Sequence, residues 1–114
     1  MLSENIENYV QNAIEHGQFT LEGDSEAANS AFECLQMTFE AIVKSGEGHS
    51  LFDLYDHANV WVQSWVASHT LEIDEARALS KLAQLERTGI PHVSTSAKYT
   101  IQGWKAGELR FLHS

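Results

Sequence analysis

The sequence predicts an all-α domain of about six helices in antiparallel pairs, either an α-solenoid fragment or a compact bundle. Three observations lead there. Apolar residues recur at helical spacing along nearly the whole chain. No stretch of convincing length alternates apolar and polar as a half-buried strand would. Residues that cap helix starts, and glycines that end helices, punctuate the stripes at short intervals.

The first stripe is Leu2, Ile6, Tyr9, Val10 and Ala13, with Ser3 as its N-cap and Gly17 as its expected stop. The second is Ala28, Ala31, Phe32, Leu35, Phe39, Ile42 and Val43, opened by Asp24 or Ser25 and closed by Gly46. A short third helix is expected from Ser50, presenting Leu51, Leu54 and Tyr55. Asn59 reads as the N-cap of a fourth, which carries Val62, Trp65, Val66 and His69. Asp74 caps a fifth with Glu75 in its first turn, where the helix dipole favours acid; its inward set is Ala78, Leu79, Leu82 and Leu85, and Gly89 ends it. Pro91 cannot continue a helix and biases Ile90 away from the helical region, so residues 90–93 read as a connector. Ser94 is the expected cap of the last helix, with Ala97, Ile101 and Trp104 inward and Gly107 at its end. Gly103 inside it costs about 1 kcal/mol against alanine, a cost that close helix packing could offset. Trp65 and Trp104 are expected to be buried.

At 114 residues the chain fits one domain, 1–114, long enough to bury roughly two-thirds of the surface its unfolded form exposes. A single cysteine, Cys34, cannot form an internal disulfide and fits a cytoplasmic setting. The first residues carry no basic segment followed by an apolar one, so no signal peptide is read there. No apolar run approaches the ~20 residues of a membrane span.

The net charge of -9 is unevenly placed: residues 1–60 hold eleven Asp or Glu against one base, Lys44, for a net of -10, and residues 61–114 hold five acids and six bases, for +1. Nucleic acid and anionic membrane would be repelled by the first half, whereas a basic protein surface would be attracted.

The segment Leu51-Phe-Asp-Leu54-Tyr-Asp56-His-Ala-Asn59-Val-Trp-Val62-Gln-Ser-Trp65-Val-Ala67-Ser-His-Thr-Leu71 resembles a HEAT repeat: paired leucines on a first helix, an Asp-containing turn, then valine, a small residue and leucine on a second. HEAT repeats usually carry arginine at the position of Gln63. A closer resemblance, over roughly residues 27–111, is to the bacterial domain-of-unknown-function family 2019. It rests on Val62-x-x-Trp65-x-Ala67-x-x-x-Leu71, on Glu75-Ala76-Arg77-Ala78-Leu79, and on Ala97-x-x-Thr100-Ile101-x-x-Trp104-x-x-Gly107-x-Leu109. The resemblance implies a short HEAT- or armadillo-like α–α superhelix fragment and supplies no catalytic residues.

Candidate chemistry is sparse. His49, His57, His69, His92 and His113 follow no metal-ligand spacing. Asp53 and Asp56 share a helix face and, with His57, form either a weak divalent-ion site or an ordinary solvated helix end. Cys34 lacks a base and an electropositive setting, and is expected to be a core or half-buried thiol. Gly46-x-Gly48 before a helix start could cradle phosphate, but Glu47 inside it favours a plain turn. Trp61 is expected either to pack on a neighbouring helix or to stand half-exposed as a binding anchor.

The feature with most functional weight is an acidic ridge. Glu26, Glu33 and Glu40 repeat every seven residues on the face opposite Leu35 and Ile42; Glu4, Glu7 and Glu15 share the face opposite Ile6 and Ala13. Solvated faces normally mix charge signs; here Lys44 is the only base on either helix. The expectation is therefore a non-enzymatic protein-binding module without metal or cofactor, monomeric or homodimeric. These six glutamates and Trp61 would face a basic partner. Its most concrete form is a bacterial immunity protein that neutralises a toxin with a cationic cleft. The alternatives are an enzyme or metal-binding regulator using Asp53, Asp56 and His57, or a homodimeric structural subunit.

Overall fold

A computed structural model describes residues 3–111; Leu2 and His113 lie outside the described residues. The chain forms α1 (Glu4–Leu21), α2 (Ser25–Lys44), a 3-10 segment (Gly48–Asp56), α3 (Val60–His69), a short 3-10 turn (Thr70–Glu72), α4 (Glu75–Arg87) and α5 (Val93–Lys105). Among the described residues there is no strand, and no helix is long and apolar enough to cross a membrane. The all-α expectation is met.

Three expected caps and one of two alternatives are in place. Ser3 accepts from the Ile6 amide at 3.2 Å, Asp24 from Ala27 at 3.0 Å, and Asp74 from Arg77 at 3.3 Å; Asn59 accepts from both Trp61 and Val62, at 2.9 and 3.3 Å. Each satisfies amides that the first helical turn leaves without a backbone partner.

The helices form two hairpins separated by a central element. α1 packs on α2 through the three-residue link 22–24, and α4 packs on α5. Between them α3 touches α1, α4, α5 and the 3-10 segment. Its sequence is apolar on most sides, the signature of a helix covered all round. Val62 and Val66 join a cluster with Tyr9, Leu35, Phe39, Ile42 and Leu51. Ala67 and the following Leu71 join a second with Ala78, Leu82, Leu85, Val93 and Ala97. Leu109 packs against both clusters.

Several expectations need correction. Gly17 does not end the first helix, which runs on to Leu21; Gly23, at φ +75°, provides the left-handed exit. Gly17 is buried where α1 meets α3, and a Cβ there would lie 2.3 Å from the Trp61 ring. The third helix is a 3-10 segment that starts at Gly48. Ser94 does not cap α5: it is the second residue of that helix, and its hydroxyl donates to the Glu86 carbonyl, tying α5 to the end of α4. His92 occupies the cap position with no side-chain cap bond and a φ of +67°. Gly103 is not held by close packing, because a Cβ there would meet Leu109 at an ordinary 3.7 Å.

The tryptophans expected in the core are only half-buried. Each has a polar handle that reaches a partner at the surface. Trp104 Nε1 donates to Glu75 at 2.6 Å, and Trp65 Nε1 donates to His16 Nδ1 at 3.3 Å. Cys34 is exposed, contrary to expectation. One residue before Leu35, it is rotated by about 100° out of the inward stripe.

Candidate functional site

The acidic ridge is laid out on the first hairpin. Glu4, Glu7, Glu26 and Glu33 are exposed, and Glu15 and Glu40 half-buried. The short link brings the second half of α1 beside the start of α2, so Glu15, Asp24 and Glu26 line one open groove. Phe19, Ala27 and Ala31 supply its apolar lining, and Cys34 also borders it. Asn12 donates to Thr38 at 3.3 Å and holds the two helices together alongside. Carboxylates over an apolar lining suit a long cationic side chain, whose methylene stem and charged head need both.

Trp61 lies elsewhere. It does not line the acidic groove but a second cleft of about 560 Å³ between α1, α3 and the start of α5. Two imidazoles lie near the indole, with His16 at 6.3 Å and His92 at 6.5 Å between ring centroids. Pro91 and Tyr99 form the outer wall, Tyr99 being 63% exposed. Burial holds the His16 imidazole below its ordinary pKa of 6.5, which favours the neutral ring. The neutral ring also suits its role as acceptor from Trp65.

No protein-family model, curated protein or solved structure matches this chain.

Beneath the two surfaces lies a polar core centred on His69. Tyr9 Oη and His69 Nδ1 are 2.7 Å apart, His69 Nε2 and Gln36 Oε1 are 3.1 Å apart, and Gln36 Nε2 donates to the Phe111 carbonyl at 2.5 Å. With the proton on Nε2 the donors run one way, from the Tyr9 hydroxyl to His69, from His69 to Gln36, and from Gln36 to the backbone of residue 111. The imidazole stacks on Phe39 at 4.2 Å and meets Phe111 edge-on at 4.7 Å. The Phe111 amide donates to Glu72 at 2.5 Å, so the end of the described chain is held at both its N–H and its C=O. Full burial pushes the His69 pKa down from 6.5 to about 3, because a charged ring would be desolvated.

The other candidates do not assemble. Asp53 and Asp56 are exposed on the 3-10 segment, while His57 Nδ1 accepts from the Asn59 amide at 3.0 Å. Gln63 donates to the His57 carbonyl at 2.6 Å, so His57 serves the turn before α3. Among the described residues no three His, Cys, Asp or Glu side chains form a group that could hold a metal ion. Gly46-x-Gly48 forms a turn between α2 and the 3-10 segment. Lys98, Lys105 and Arg110 are exposed on the second half. His16, Gln36, Tyr99 and Phe111 carry no spacing or motif that marks them; only the packing of distant segments brings them to the cleft and the polar core.

Proposed function

We propose that this protein is a non-enzymatic binding module whose first hairpin engages a basic protein surface. The observation that carries the reading is the groove of the first hairpin, where Glu15, Asp24 and Glu26 surround an apolar lining in a half of the chain whose single base is Lys44. Like charges gathered around one groove repel and raise the local potential. A partner rich in lysine and arginine relieves that repulsion and is steered on approach. The most concrete form is an immunity protein that covers the cationic cleft of a bacterial toxin, resembling the short HEAT-like helical domains in architecture.

The test is co-purification from the native cell with two baits, the wild-type chain and the Glu26→Gln, Glu33→Gln, Glu40→Gln variant. The expected result is a basic protein retained by the first bait at low salt and depleted on the second. A partner held equally by both baits, or one with an acidic surface, would remove the reading.

A further inference from the structure

Two aromatic rings, buried Phe52 and half-buried Trp104, are each covered by one of the molecule's own arginines. The Arg77 guanidinium lies 4.0 Å from the centre of the Phe52 ring, and that of Arg110 lies 4.9 Å from Trp104. The cleft around Trp61 is lined by Trp61, Tyr99 and two imidazoles, yet no lysine or arginine lines it. Its walls come from Trp61, His16, His92, Tyr99 and Pro91, and Thr20, Thr95 and Ser96 add hydroxyls. Aromatic faces are the negative side of the ring quadrupole, and indole is the strongest of them. The surrounding molecule carries a net charge of -9. A cation is therefore favoured both by the local faces and by the long-range field.

We propose that this cleft receives an arginine side chain of the basic partner, with the guanidinium plane against Trp61 and Tyr99; the proposal rests on the reading of the first hairpin as a basic-protein site. Arginine rather than lysine is assigned because a planar, weakly hydrated guanidinium stacks on indole and phenol, whereas a compact ammonium keeps its water. A cleft of about 560 Å³ leaves ample room for a planar head group and its stem. The backbone at His92 is consistent with a built wall: a non-glycine residue is held at φ +67° with its ring 6.5 Å from Trp61, a conformation that persists only where surrounding structure enforces it.

The experiment titrates the pentapeptide acetyl-Gly-Gly-Arg-Gly-Gly-amide into the full chain and follows the three tryptophan indole N–H resonances by NMR. Matched peptides carry citrulline or lysine in place of arginine. The Trp61 resonance is expected to shift with arginine, less with lysine and not with citrulline, while Trp104, already covered by Arg110, stays in place. Tyr99→Ala, at an exposed position, should weaken the arginine peptide by about two- to fivefold. His92→Gly should weaken it while leaving thermal stability equal or higher. Equal shifts with citrulline and arginine would overturn the proposal. So would no Trp61 shift, or a shift unaltered by Tyr99→Ala. A shift lost in the triple glutamine variant but kept in Tyr99→Ala would also overturn it, placing the cation on the acidic ridge with the basic-partner reading intact. Conversely, a cleft that binds the peptide in a protein that retains no basic partner would separate the two readings the other way.

Discussion

The two hairpins are built alike and charged differently. Each pairs two amphipathic helices, and each buries its inner face against α3 or its neighbours. Three of the six cations of the second half have neutral partners nearby: Arg77 covers Phe52, Arg110 covers Trp104, and Lys81 donates to Gln84 at 3.0 Å. The first hairpin has one cation, Lys44, and the partners of its carboxylates are neutral: Asp24 accepts from the Ala27 amide and Glu15 from Gln11. Acidity is therefore not a requirement of this architecture, since the second hairpin, residues 75–105, sets Glu75 and Glu86 against Arg77, Lys81, Arg87, Lys98 and Lys105. The acidity of the first hairpin is what the proposed recognition of a basic partner would account for.

The comparison breaks most severely at His69, where α3 is locked to the acidic hairpin. His69→Ala should cost roughly 3–5 kcal/mol in denaturant unfolding, because it opens a cavity and strands Tyr9 and Gln36. Acid tests the same residue without mutation. Between pH 6.5 and about 3 the unfolded chain protonates this imidazole and the folded chain does not, so this contribution to stability is present above pH 6.5 and declines as pH falls through that window. The loss should reach on the order of 4 kcal/mol at the acid end. Chemical denaturation at a series of pH values reads it, and a His69→Phe variant should show a flatter slope.

Gly17→Ala comes next. The added methyl would overlap the Trp61 ring at 2.3 Å, so either α1 or α3 must shift, at about 1–3 kcal/mol. Asn59→Ala removes the cap of α3 and should cost about 1 kcal/mol. At the small end, Gly103→Ala in the second hairpin should stabilise by up to about 1 kcal/mol, since φ is ordinary there and the nearest contact is 3.7 Å away. Thermal or denaturant midpoints of the three variants set that order.

What the sequence made legible was local. Ser3, Asp24, Asn59 and Asp74 cap through bonds to amides two or three residues on, so their chemistry is complete within a short window. The inward stripes of α2 and α4 follow from period alone. The misread positions depend on a distant segment. Gly17 is a glycine because of Trp61, not because of a turn; Ser94 serves Glu86 rather than its own helix; Trp104 is drawn to the surface by Glu75. The site divides the same way. The glutamate spacing was visible, and so was Trp61 as a candidate anchor, whereas the cleft that joins it to His16 and Tyr99 comes from three separate helices and is not written in any one of them.

The most direct test of the acidic hairpin is the association rate of the co-purified partner, measured by stopped flow from low to high salt, with wild type and with Glu26, Glu33 and Glu40 all changed to Gln. Exposed charges act mainly through long-range steering, which salt screens over about 10 Å at 0.1 M ionic strength. The expected result is a slower rate for the variant at low salt, convergence of the two proteins at high salt, and a folded state no less stable than wild type. Equal rates at low salt, with parallel salt dependence, would contradict it and move the binding face to the second half, around Lys98, Lys105 and Arg110.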